Sequence, residues 1–180
     1  MRAIDFFGDG SFFFLDAPGH AVGHINALAR TSTQPDTFLY MGGDSYHHAA
    51  ELRPSENVPL PQSIEVPYLN PYPCPGHLFH SFHPCASSGN PNNTAFVKIG
   101  EKSPAIDLAA AQEVVHKIQA FDADENVFAV AAHDWSLKEV MDLYPQSANE
   151  WKRKGWKAKG RWRFLADFQK AVDLAVSSKL

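Results

Sequence analysis

Phe12–His48, FFFLDAPGHAVGHINALARTSTQPDTFLYMGGDSYHH, decides the fold. It divides into a strand, a histidine-bearing turn, a second strand, a loop, a third strand, and an aspartate followed by two histidines. The apolar run Phe12–Leu15 ends at Asp16-Ala17-Pro18-Gly19-His20, where Pro18 and Gly19 stop the strand and force a turn. His24–Ala29 and Thr37–Met41 have the composition of strands, and Gly42-Gly43 breaks the latter just before Asp44. His20 and Asp44 therefore fall at strand ends, where a rigid scaffold presents ligands to a metal or a substrate.

Upstream, Ala3–Phe7 is a further strand, and Gly8-Asp9-Gly10 is a hairpin turn leading into Ser11–Leu15. Downstream, Ala49–Pro61 is expected to form a helical turn and then a loop. The proline-rich stretch 61–93, with Pro67, Pro71, Pro73, Pro75 and Pro84, has little regular pattern. A loop of that length inside one domain is functional or loosely ordered. Thr94–Ile99 is a short strand or extended segment. Leu108–Phe121 is the clearest helix: Leu108, Val114, Ile118 and Phe121 recur at helical spacing, with Asp107 as its N-cap. Asn126–Ala132 is a buried strand by composition and delivers His133 and Asp134. Ser136–Leu143 opens with an N-cap pattern, and Arg161–Val176 is an amphipathic helix whose apolar face should pack against a sheet.

Three of these segments, in order, resemble the metallo-β-lactamase superfamily. They are DAPGHAVGHI, MGGDSYHH and the strand ending in His-Asp, VFAVAAHDWS. The similarity is to the broad hydrolase branch that includes glyoxalase II and the N-acyl homoserine lactonases. It implies an α/β fold, the αββα sandwich of that family. Because the family's His-x-His-x-Asp-His motif occurs nowhere in the sequence, residues 1–180 are expected to be a single partial domain, roughly the second half, with 61–93 as a lid-like insertion. The resemblance makes His20, Asp44 and His133 metal ligands, with Asp44 bridging two ions through its two carboxylate oxygens. The ions would be zinc. His24, also in the motif, is not a ligand in the family, and a backbone-bonded role fits it better.

The lactonase branch often has a tyrosine near the position of Tyr46 that assists the leaving group. Here Tyr46 falls one place early and His47 takes the usual spot, so both are candidate acids or hydrogen-bond donors. The implied activity is metal-dependent hydrolysis of an ester, lactone, thioester or amide in a small-molecule substrate. With only His20, Asp44 and His133 to share between two metal positions, weak binding and impaired activity are expected, since a catalytic zinc has three protein ligands. The alternative is a non-catalytic remnant that binds a partner, or a second copy of itself, through the face an incomplete sandwich exposes.

Other features point elsewhere with less force. Cys74, His77, His80, His83 and Cys85 cluster in the 61–93 stretch but match no common zinc spacing. Two cysteines are too few for a disulfide framework, which leaves a single Cys74–Cys85 bridge as the alternative to two free thiols. Trp151–Arg163 holds seven of the 16 Lys and Arg and no acid, within a chain of net charge −4. Its tryptophans suit a loop lying on a core better than a nucleic-acid surface, because no nucleic-acid motif accompanies them. No apolar run approaches the roughly 18 residues of a membrane span, and the N-terminus lacks an apolar signal segment. A cytoplasmic setting is the expectation.

Overall fold

The structure is a computed structural model that describes residues 1–87, 89–100 and 102–178, so Ser88, within the proline-rich stretch, lies outside the described residues. Its strands are β1 (Ala3–Asp5), β2 (Phe12–Asp16), β3 (Ile25–Thr33), β4 (Asp36–Met41), β5 (Ser63–Ile64), β6 (Cys74–Pro75) and β7 (Val127–Val130). Its α-helices are α1 (Leu108–Ala123), α2 (Trp156–Gly160) and α3 (Gln169–Ser177), with 3-10 turns between. The fold is α/β, a mixed sheet with helices.

The Gly8-Asp9-Gly10 turn forms, closed by the Asp5 carboxylate, which accepts the N–H groups of Gly8 and Gly10 at 3.0 and 2.8 Å. The five-stranded sheet has the order β1-β2-β3-β4-β7. All its pairs are antiparallel except the last, where β4 runs parallel to β7 from Phe38↔Val127 to Met41↔Val130. Parallel pairing needs a crossover, and α1 lies within it. Its N-cap is Asp107, whose carboxylate accepts the Ala110 N–H. The consequence for function is direct: β4 and β7 end at the same edge of the sheet. Pairing continues past them, from Gly42 N–H to the Val130 carbonyl and from Ala132 N–H to the Gly43 carbonyl.

One face of the sheet packs Leu15, Tyr40, Val127 and Ala129 against Val114, Val115 and Ile118 of α1. Phe128 points the other way, into a cluster with Leu137, Trp151 and Trp156. A third cluster joins Leu60, Ile64, Leu69, Phe79 and Phe96 to Phe164, Leu165 and Val172. The proline-rich stretch contributes to this third cluster. It carries the β5–β6 pair and a 3-10 helix over Gly76–Phe82, and buries its apolar side chains in a core of its own. Beneath these clusters Arg53 and Asp122, both buried, form a bidentate pair at 2.6 and 2.8 Å.

Several sequence expectations give way. Arg161–Val176 is not one helix. α2 starts earlier, the chain leaves helical geometry at Trp162 (φ −116°, ψ 5°), and a 3-10 turn over Arg163–Phe168 precedes α3. Its apolar face meets the 3-10 helix of the proline-rich stretch rather than a sheet, because that stretch supplies the apolar surface. Ser136–Leu143 reduces to a 3-10 turn at Trp135–Leu137, and 94–99 forms no strand. Cys74 and Cys85 are free thiols. In the basic stretch Trp151 and Trp156 are buried. Arg153, Lys154, Arg161 and Arg163 pair with Glu150, Asp142, Glu125 and Glu139. Among the described residues, no helix is long and apolar enough to cross a membrane.

The outer face of β1, β2 and β3 stays uncovered. Ile4, Phe6, Phe7 and Ile25 are exposed, and Phe6, Phe7, Phe12 and Phe14 touch edge-to-face.

Candidate metal centre

His20 follows β2 in a turn built on Gly19. Gly19 has φ +122° and is buried against the start of α1, where a Cβ would lie 2.2 Å from the Ala111 nitrogen. Its carbonyl accepts the Asp107 N–H at 3.0 Å, and that of His20 accepts the Ile106 N–H at 3.2 Å. Only glycine combines that dihedral with that approach. The helix start therefore fixes where His20 stands.

Asp44 follows β4 after Gly43, which has φ +50°. The imidazole of His24 ties this turn to the preceding one. Its Nε2 accepts the Asp44 N–H at 3.2 Å and its Nδ1 lies 3.0 Å from the Ala17 carbonyl. The backbone partners assign the tautomer, with the proton on Nδ1. His24 is a strut, as expected of it. The next residue, Ser45, is buried and donates to Asn26, which in turn donates to the Tyr40 hydroxyl. Asp44 is thus anchored by the half-buried His24 bond at its own N–H and by the buried bonds of its neighbour Ser45.

The Asp44 carboxylate faces two histidines. Its Oδ2 lies 3.5 Å from His20 Nε2, and its Oδ1 lies 3.1 Å from His133 Nε2, delivered by β7. His47 closes the gap between them. Its ring centroid is 5.2 Å from that of His20 and 5.0 Å from that of His133, stacked on the latter at 15°. One donor atom each from Asp44, His47 and His133 lies within 4.8 Å of the others. His20 stands next to this group and is not one of its three members: its Nε2 faces Asp44, while its Nδ1 is buried without a hydrogen-bond partner. Carboxylate and imidazole donors suit zinc and related divalent ions, so the residues present fit a metal.

Sequence reasoning cast His47 as an acid. In the structure its ring stands among the metal-donor candidates, and the signal for that was only its position one turn after Asp44. Tyr46, cast in the same role, points into the core instead. It is fully buried beside Gly42, its hydroxyl has no partner, and burial pushes its pKa well up. Tyr46 takes the interior while His47 is half-buried and faces the donor group. His48 caps the 3-10 turn Ala49–Glu51 through Nδ1, and its Nε2 reaches Asp167 at 3.0 Å. Glu51 returns a bond to the His47 N–H at 2.9 Å, which fixes the backbone of His47.

Asp134 does not orient His133. Its carboxylate caps the following turn, accepting from the Ser136 N–H and hydroxyl. The loop histidines do not converge either. His80 bonds Asn92, and His83 is buried between the Thr94 carbonyl and the Cys85 thiol. His116 is exposed on α1.

The chain was compared with known proteins. It is 44% identical over 170 residues to γ-lactamase FDB1 of Fusarium pseudograminearum, a match covering 93% of this chain and 40% of that protein. It is 42% identical over 172 residues to metallo-hydrolase mfmC of Annulohypoxylon moriforme, covering 94% and 44%. A 42% match over 173 residues is to a much longer protein of Penicillium roqueforti named cytochrome P450 monooxygenase mpaDE, 95% of this chain and 18% of that one. The chain therefore spans less than half the length of each of these relatives. No family model matches it. No solved structure matches it.

Proposed function

We infer, from this kinship with a metallo-hydrolase and a γ-lactamase, that the chain, a metallo-β-lactamase-like hydrolase sequence, carries one metal-binding wall of an active site for carbonyl hydrolysis. The substrate is a small molecule with an ester, lactone, thioester or amide bond, and the name of the γ-lactamase relative favours a cyclic amide. One observation carries the reading: the two oxygens of Asp44 face His20 and His133 separately, with His47 completing a three-donor group.

Asp44, His47 and His133 would hold one divalent ion, zinc by donor chemistry, and three protein donors is the count of a catalytic zinc site. Bound there, the ion supplies Lewis acidity toward a carbonyl oxygen and lowers the pKa of water. The chain's own residues supply placement. His24 fixes the Asp44 backbone, Glu51 fixes that of His47, and Gly19 fixes His20. A second position would draw on His20 and Asp44 alone. Two donors bind weakly, so hydrolysis by this chain alone should be slow. The test is a zinc titration with dialysis, joined to turnover of a γ-lactam and an activated ester with and without zinc. Zinc near one per chain and slow zinc-dependent turnover support the reading. Two tightly held ions would overturn the expected impairment, and tight zinc with no turnover would favour a binding role.

The exposed apolar face of β1–β3 favours a second reading in which this surface is an interaction module, including self-association. Contiguous exposed apolar patches mark interfaces. Sedimentation of the wild-type chain against Phe6→Ser decides it: a dimer that dissociates in the variant supports the reading, and a wild-type monomer ends it.

A further inference from the structure

We propose that Trp135 and Tyr68 form an aromatic clamp beside the donor cluster that receives a flat, aromatic, anion-bearing part of a small-molecule substrate. Calling the occupant a substrate rests on the hydrolase reading above, while the clamp itself rests on its own geometry.

Both side chains are large and exposed, Trp135 at 76% and Tyr68 at 77%. Folding gains nothing from leaving them in water, yet the backbone that carries each is held in place. Trp135 lies two residues past His133 in a 3-10 turn that Asp134 pins through Ser136. Tyr68 has φ +69°, a left-handed conformation uncommon for a residue with a Cβ. The chain after it is clamped by the Gln169 side chain, which accepts the Asn70 N–H at 2.7 Å and donates to the Asn70 carbonyl at 2.8 Å. Buried Leu69 anchors the same turn. Strain held at an exposed aromatic is a feature of ligand clamps.

Two concavities meet at Trp135. One, of about 290 Å³, is apolar and lined by Val130, Leu137, Met141 and Leu143. The other, of about 250 Å³, lies between Trp135 and Tyr68 and reaches Asp167. Asp167 is the partner of His48, the neighbour of His47. The clamp therefore borders the loop that carries His133 and reaches the loop of Asp44 and His47 through the Asp167–His48 bond. Lys138 lines both concavities, with its ammonium 5.5 Å from the Trp135 ring centroid. The acids that line the same concavities each have another partner, Asp134 in Ser136, Glu139 in Arg163 and Asp167 in His48. Among the described residues Lys138 has no carboxylate partner, so it favours an anionic substituent on a ring stacked between Trp135 and Tyr68.

The test reads binding alone, on the whole chain with metal removed by chelator. 2-Naphthoate is titrated while tryptophan fluorescence and heat are followed. Naphthalene-2-carboxamide serves as the uncharged flat probe and cyclohexanecarboxylate as the charged probe without a flat ring. We expect saturable binding of 2-naphthoate that Trp135→Ala weakens by about threefold to tenfold, the range for loss of one aromatic pair. Tyr68→Ala should weaken it similarly. Lys138→Ala should weaken the naphthoate but not the carboxamide, and cyclohexanecarboxylate should bind less than naphthoate. Trp135→Leu, which keeps apolar bulk, stands in if the alanine variant unfolds. Unchanged naphthoate binding in a folded Trp135 variant overturns the proposal, and so does binding that Phe6→Ser removes instead. Because no turnover is read and no zinc is present, failure here leaves the hydrolase reading to its own zinc and turnover tests.

Discussion

His24 accepts the backbone N–H of Asp44 at 3.2 Å while its other ring nitrogen meets the Ala17 carbonyl at 3.0 Å. One neutral imidazole thus couples the turn carrying His20 to the turn carrying Asp44 and His47. His24→Ala should remove both bonds and leave the Asp44 N–H unpaired, a loss of about 1–3 kcal/mol. It should also weaken zinc binding although His24 donates nothing to the metal. Urea unfolding and a competitive zinc titration measure the two effects. A variant that loses stability but keeps its zinc affinity would make His24 a folding residue only.

Gly19→Ala tests the other anchor of His20. The added methyl meets the Ala111 backbone at 2.2 Å, and φ +122° disfavours any side chain. Overpacking and backbone strain each cost about 1–3 kcal/mol. Either the turn lifts off α1 or α1 shifts. A lowered urea midpoint is the expected result, and a midpoint equal to wild type would mean that the turn does not pack on the helix as described.

The donor set makes a sharper distinction. Asp44→Ala, His47→Ala and His133→Ala should each lower zinc affinity by more than the roughly 10–100-fold that loss of an outer-sphere partner costs. His116→Ala, exposed on α1, should change nothing. Equilibrium dialysis reads all four. If His47→Ala binds zinc as wild type does, the three-donor group of Asp44, His47 and His133 is wrong.

Much of this arrangement was legible in the sequence because it depends on local signals. The 3.6-residue period and Asp107 place α1, and the apolar run before His133 places β7. The resemblance brought His20, Asp44 and His133 together as ligands, and the parallel β4–β7 pair sets the last two at one edge. The remainder depends on direction and on long-range packing. Nothing in Tyr46-His47 says which side chain turns inward, since both are ordinary surface or core residues. The prolines of 61–93 suggested a loose loop, but its apolar residues find a core only through Phe164 and Val172, far away in the chain.

Acid stability should follow the Arg53–Asp122 pair. Burial alone would raise the Asp122 pKa, but the bidentate Arg53 guanidinium outweighs it and holds the carboxyl below its usual value. A depressed folded pKa gives stability that is present above the unfolded value near 3.9 and is lost as pH falls through the folded one. Urea midpoints should therefore hold through mildly acid pH and drop below about pH 4. Asp122→Asn strands a buried guanidinium and should cost about 3–5 kcal/mol at neutral pH. The double variant Arg53→Met/Asp122→Leu should recover most of that loss. A harmless Asp122→Asn would show that the pair does not hold the core.

Alkaline stability should instead pass through a maximum, because buried groups of opposite sign titrate in sequence. Lys157 donates to the carbonyls of Asp124 and Val127, and burial pushes its pKa down to about 8 against the attraction of Asp122. From there to the unfolded value near 10.4 the unfolded chain holds a proton that the folded chain lacks, so stability rises with pH. Above about pH 10 the tyrosines act in the other direction. Burial raises the Tyr40 pKa to about 12 and holds Tyr46 well above its ordinary value. Both then stay protonated in the fold while the unfolded chain ionises, and stability falls. Urea midpoints measured from about pH 7 to 11 should peak near 10. Lys157→Met should flatten the rising limb and leave the descent, while Tyr40→Phe should make the descent shallower. A steady decline from pH 8 upward in the wild type would show that Lys157 keeps its charge in the folded chain, with the two carbonyls compensating its burial in full.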